Sequence, residues 1–164
     1  MASFRPEVHT KYDNFIREAA KEAGISWLLL KAIVAAESSF RADAYRPEGP
    51  KNGSYGLAQI LLSTARGDYG FKGPPELLFD PETNLSIAAD YLARLHRVFG
   101  DVRLVIAAYN AGPGRVRTLQ RQHGEAWESI QPHLPPITKL YVPKVLRYMA
   151  EFAEYHEKEG GDKK

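Results

Sequence analysis

Cysteine is absent from the 164 residues, which excludes disulfides, thiol catalysis and thiolate-bound zinc or iron–sulfur centres. No apolar run approaches the roughly twenty residues that a membrane span requires, and Lys31 interrupts the stretch that begins at Trp27–Leu30. Stable membrane insertion is therefore not expected. Neither sign of charge dominates, since 22 Lys+Arg against 20 Asp+Glu leave a formal +2. No basic cluster is interleaved with aromatics, so nucleic acid is not an expected partner, and Arg115, Arg117 and Arg121 read as a solvated helix face. No signal peptide is expected in this chain, because Lys11, Asp13, Arg17, Glu18, Lys21 and Glu22 break every apolar window at its start. The histidines His9, His96, His123, His133 and His156 never take a paired helical spacing, so neither a metal nor any other cofactor is expected.

What is there describes a folded chain. Hydrophobic residues make up 44% and charged residues 26%, ordinary values for one soluble domain of this length. The expectation is a single monomeric domain over 1–158 with a disordered tail over 159–164.

The patterning is mainly helical. Pro6 to Ala23 reads as one amphipathic helix through Tyr12, Phe15, Ile16 and Ala19, stopped by Gly24. Ser26 caps a second helix with Trp27, Leu30, Ile33 and Val34 on one stripe. Periodicity vanishes from Arg41 to Ser54, where Pro47, Gly49, Pro50, Asn52 and Gly53 predict a long loop with at most a small β-hairpin. Gly56 to Ala65 reads as a short helix, and Asn84 as the cap of a helix closed by Gly100. Asp101 starts a helix over Val102–Asn110, apolar all round and hence central, stopped by Gly112 and Pro113. A short helix over Pro113–Gln122, a proline-rich linker, and a last helix over Ile137–Glu157 complete the chain, with Pro143 tolerable only within a first turn.

Glu37 is the anomaly, because it continues the apolar stripe of the second helix. An ionisable group there is costly unless it is paired, hydrogen-bonded or neutralised. An ion pair with Arg41 at i+4 is one explanation. The other is a carboxyl at a helix end facing a cleft, where lost hydration raises its pKa and suits it to general-acid work.

Three segments recur in a telling order: Glu37-Ser38 closing a helix, Gly56-Leu57-Ala58-Gln59 after a glycine-rich loop, and Ala108-Tyr109-Asn110-Ala111-Gly112 ending another helix. Together with Tyr141-Val142, Lys144-Val145-Leu146 and Tyr148, their order resembles the soluble lytic transglycosylase family, over about Ser26 to Tyr148. The stretch Ser54–Ile60 with Thr64-Ala65-Arg66 is similar to a branch found in bacteriophage lysis and virion proteins. The resemblance implies a mainly α, lysozyme-like α+β fold that cleaves the glycan strands of bacterial peptidoglycan. It makes Glu37 the catalytic acid and places Ser54, Gln59, Tyr109, Asn110 and Tyr141 at the substrate. Tyr109 as a core aromatic, Gln59 as an exposed helix residue and Gly112 as a mere helix stop are the plain alternatives. Two positions depart from the family: Ile137 stands where a glutamate often precedes the threonine, and Pro50 where a serine often stands nine residues before the glutamine.

Ordinary glycosidases place two carboxylates about 5–5.5 Å or about 6.5–9.5 Å apart. Here Asp43, Glu48, Asp68, Asp80 and Asp101 all fall in polar loops or at helix starts, which leaves Glu37 alone. A lone acid must recruit its nucleophile from the substrate, so N-acetylmuramic acid would close on its own C6 hydroxyl and leave a 1,6-anhydro end. A true hydrolase using a loop acid such as Asp68, or a catalytically silent glycan-binding virion domain, are the alternatives. The expected setting is the bacterial wall or periplasm, reached from a host cytoplasm after holin release or from a phage particle.

Overall fold

The computed structural model describes residues 2–162 of the chain. Among them α1 (Pro6–His9) and α2 (Asp13–Ala23) replace the single first helix expected from sequence. Thr10 ends α1 as its C-cap, and its hydroxyl donates to the Pro6 carbonyl at 2.7 Å, so the chain turns before Asp13. Gly24 stops α2 in the left-handed region at φ 74°. The Ser26 hydroxyl then caps α3 (Trp27–Ser38) by accepting from the Leu29 amide at 3.2 Å.

Helix α3 is buried on nearly every face, with Leu29, Leu30, Ala32, Ile33, Val34 and Ala35 at 0–1% exposure. Its one buried cation, Lys31, is satisfied rather than exposed. The ammonium donates to Asp13 Oδ1 of α2 at 2.8 Å and lies 2.9 Å from His156 Nε2, which ties three helices together. Burial pushes the Lys31 pKa down, against the upward pull of Asp13.

The loop after α3 folds into a small antiparallel sheet of order β1-β2-β3: β1 (Tyr45–Pro47), β2 (Gly53–Tyr55) and β3 (Ile60–Leu61). Register is set by Tyr45 opposite Tyr55 and by Ser54 opposite Leu61. The short helix expected over Gly56–Ala65 is thus corrected to a turn, strand β3 and the start of α4 (Leu62–Asp68). Pairing of β3 with β2 claims the segment that local propensity alone would give to a helix.

A 3₁₀ turn at Pro75–Phe79 leads into α5 (Pro81–Phe99), followed by α6 (Val102–Ala111), α7 (Pro113–His123), α8 (Trp127–Ile130), a 3₁₀ turn at Gln131–His133, and α9 (Pro136–Asp162). The α5 cap is Asp80, which accepts from the Thr83 amide at 3.0 Å with Pro81 at the first helical position. That corrects the expectation for Asn84, which lies inside α5 and is fully buried. Asp101 caps α6 as expected, and Leu104–Ala108 are buried throughout it. In α9, Pro143 lies in the interior and not in the first turn. Its position is exposed, so the carbonyl four residues earlier can turn to water. Helix α9 runs on to Asp162, four residues into the expected tail, with a Lys158–Glu154 pair at 2.9 Å on its exposed face; Lys163 and Lys164 lie outside the described residues. No described helix is long and apolar enough to cross a membrane.

Candidate active site

Glu37 occupies the last turn of α3, which ends because Ser39 takes the left-handed conformation at φ 52°. Its carboxylate does not pair with Arg41, whose Nε donates instead to the Ser38 carbonyl at 3.3 Å. The partner comes from α9, where the Tyr141 hydroxyl donates to Glu37 Oε2 at 2.9 Å. Loss of hydration drives the Glu37 pKa up to about 7, against the pull of the Tyr141 hydroxyl and of the Lys144 and Arg46 cations; Glu48 adds a smaller upward push. The carboxyl is therefore half-protonated near neutrality, the condition in which one group can both give and take a proton. Burial, with Glu37 nearby, holds the Tyr109 and Tyr141 phenols well above their ordinary value, so both remain neutral.

A second part of the candidate site is the turn Gly56–Gln59. Gly56 sits at φ 75°, and a Cβ there would meet Asn84 Nδ2 at 2.6 Å and the Leu78 carbonyl at 2.8 Å, so only glycine fits. Gln59 is left-handed at φ 52°, a conformation that a non-glycine residue holds only when its surroundings fix it. Both donors of its side-chain amide are committed, to Ala44 O at 3.1 Å and Gly56 O at 3.0 Å. Oε1 is thus the side-chain atom of Gln59 left to accept a further hydrogen bond.

Tyr109 closes the turn from α6, its hydroxyl donating to the Ala58 carbonyl at 2.6 Å. Its ring packs on Tyr91 at 5.5 Å between centroids. Beside it opens a cavity of about 340 Å³ whose wall includes Gln59, Thr64, Ile87, Tyr91, Tyr109 and Asn110. Asn110 Oδ1 accepts from the Thr138 hydroxyl at 2.7 Å, which fixes the amide and leaves its NH₂ as donor.

Glu37 and Tyr141 thus meet directly, and Gln59, Tyr109 and Asn110 share one cavity wall. Ser54 stands apart from that wall, buried in β2 with its hydroxyl 3.5 Å from Glu48 Oε1. Tyr141 reaches Glu37 rather than the cavity. Ile137 is 63% exposed and offers no substitute for a glutamate, whereas its neighbour Thr138 is fully buried and orders Asn110. Sequence reasoning missed Asn84, Tyr91 and Thr138. Only Asn84 carried a local signal: Asp80-Pro81 upstream is the better helix start, which leaves a buried asparagine in need of another explanation. No group of three or more potential metal ligands is present among the described residues.

The family described as the Transglycosylase SLT domain matches residues 14–131. The soluble lytic murein transglycosylase of Salmonella typhimurium is 33% identical over 154 residues, covering 88% of this chain and 23% of that protein. Its namesake from Escherichia coli K12 is 42% identical over 94 residues, covering 53% of this chain and 14% of that protein. Among solved structures, an inactive glutamate-to-glutamine mutant of lytic transglycosylase Slt from Pseudomonas aeruginosa superposes with a TM-score of 0.75 at 30% identity, covering 93% of this chain and 25% of that one. The 70-kDa soluble lytic transglycosylase in complex with bulgecin A superposes at 0.77 with 29% identity, over 90% of this chain and 25% of that one. The chain spans about a quarter or less of the length of these relatives.

Proposed function

Since the chain belongs to the Transglycosylase SLT domain family and has its mainly α, lysozyme-like fold, we propose that it is a peptidoglycan lytic transglycosylase. It cleaves the β-1,4 bond between N-acetylmuramic acid and N-acetylglucosamine, with Glu37 as the one catalytic acid–base. The observation that carries this reading is the Glu37 carboxyl, held near neutrality at about 7 by burial and oriented by Tyr141.

Protonated Glu37 donates to the glycosidic oxygen as the bond to C1 of the muramic sugar breaks. The acetamido oxygen of that sugar stabilises the developing cation. Glu37, now a carboxylate, takes the proton of the C6 hydroxyl as that oxygen bonds to C1. The 1,6-anhydro ring closes, Glu37 is again protonated, and no water is consumed. Gln59 Oε1 accepts from, and the Asn110 amide donates to, the sugar in the cavity beside Tyr109. The chain acts as a monomer that engages glycan strands and no nucleic acid. The similarity of Ser54–Ile60 to the bacteriophage branch supports an endolysin or virion setting. Purified murein sacculi incubated with the chain should release soluble muropeptides; intact sacculi would overturn the reading.

One observation favours a hydrolase instead: Glu48 is the second carboxylate whose charge is felt at Glu37. It is engaged by Arg46 at 3.6 Å and by Ser54, while Asp68, the loop acid favoured by sequence, sits 3.9 Å from Arg94. Glu48→Gln is expected to keep most of the activity, measured by muropeptide release. Loss by orders of magnitude would make Glu48 the water-activating base.

Tyr141 sets the pH range. Its hydrogen bond favours the Glu37 carboxylate, so Tyr141→Phe should raise the Glu37 pKa and move the alkaline limb of the activity profile to higher pH. A limb that stays in place or moves down would contradict the assigned donor.

A further inference from the structure

We propose that Asn84 is a positioning residue for the reaction, a buried amide that clamps the Gly56–Gln59 turn and thereby fixes Gln59 on the cavity wall it shares with Tyr109 and Asn110; this rests on the activity proposed above. Asn84 is fully buried in the first turn of α5, and its own amide already closes that turn on the Asp80 carbonyl at 2.9 Å. The side chain is therefore free for other work. Oδ1 accepts from the Ala58 amide at 2.9 Å, and Nδ2 donates to the Tyr55 carbonyl at 2.7 Å and to the Leu78 carbonyl at 2.9 Å. One amide thus grips the turn on both sides of Gly56 and anchors it to the 3₁₀ turn before α5.

Ala58 is where the clamp meets the chemistry. Its amide is held by Asn84 and its carbonyl by Tyr109, so the two peptide groups that flank one residue link α5 to α6. Gln59, next in the chain, occupies its left-handed conformation with both amide donors bound to Ala44 and Gly56. The Gly56 amide also donates to Ala44 O at 2.8 Å, which ties the hairpin to the turn. No residue with a different donor pattern can replace Asn84 here, since two carbonyls and one amide converge on it. Gly56 records the closeness of the fit, because a Cβ would strike Nδ2. A shift of about 1 Å in such a supporting group costs turnover of the order of a hundredfold even when the reacting groups are unchanged.

The test is Asn84→Asp, which keeps the acceptor for Ala58 and removes the paired donors. An ionised Asp would face two carbonyls, whereas a protonated one keeps a single O–H donor. Turnover of a soluble muroglycan oligosaccharide, measured where circular dichroism shows the variant folded, should fall roughly ten- to a hundredfold in kcat. The ratio of variant to native kcat should fall further as pH rises. A folded variant with native kcat at every pH overturns the proposal. Amide exchange in the native protein is the second arm and requires neither substrate nor variant. The Ala58 amide should exchange as slowly as the core of α5; exchange through local opening ahead of α5 overturns the clamp, whether or not the variant folds. Failure of the native chain to turn over substrate would instead overturn the activity reading, and Ala58 exchange would still decide whether Asn84 holds the turn.

Discussion

Glu37→Gln is expected to lower muropeptide release by roughly 10²–10⁴-fold, the contribution of a positioned proton donor. The amide keeps the shape of the side chain, and its oxygen can still accept from the Tyr141 hydroxyl that now reaches Glu37 Oε2 at 2.9 Å. What it cannot do is release and recover a proton. The loss should therefore appear in kcat with little change in glycan binding, because the cavity wall that holds Gln59, Tyr109 and Asn110 does not include Glu37. Turnover within threefold of native by a folded Glu37→Gln protein, a threshold far inside the range for a lost general acid, would remove Glu37 from the chemistry.

The same substitution should stabilise the fold, and the effect should depend on pH with a definite sign. Burial raises the Glu37 pKa from 4.5 to about 7 in the folded protein, so between those values the native state binds the proton more tightly than the unfolded chain. Native stability from this group is then highest below about pH 4.5 and is lost as pH rises to about 7. The loss amounts to on the order of 3 kcal/mol, or roughly 6–12 °C in Tm for a chain of this size. Glu37→Gln has no such proton to lose. Its melting curve should match the native one near pH 4.5 and lie above it at pH 8. A variant that melts below the native protein at pH 8 would mean that the ionised carboxylate is a stabilising partner of Tyr141, Lys144 or Arg46, and that its burial carries no cost.

Much of this was legible because it is local. Ser26 and Asp101 cap helices by accepting from amides two or three residues on, and Gly24 stops one by its left-handed backbone. Glu37 was legible for the same reason: an acid on an apolar stripe conflicts with its neighbours, and such conflicts collect at functional sites. Less legible are the residues whose partners are distant in sequence. Lys31 breaks an apolar run in the sequence, and it is buried because Asp13 and His156, the latter 125 residues away, satisfy it. Asn84 shares the residue type of a helix cap, while its true partners lie 26 and 29 residues upstream in the turn and six residues upstream at Leu78. Tyr141 was placed at the substrate by resemblance alone, and only packing of α9 against α3 brings its hydroxyl to Glu37. The small sheet follows the same rule, since β3 exists only by pairing with β2.

The central claim is that one carboxylate suffices because the substrate supplies the nucleophile. Mass spectrometry of muropeptides released from sacculi digested in oxygen-18 water tests it most directly. The account predicts 1,6-anhydromuramic ends, lighter by one water than reducing ends and free of the heavy isotope. Reducing ends carrying oxygen-18 would show that water attacks C1, and would contradict it.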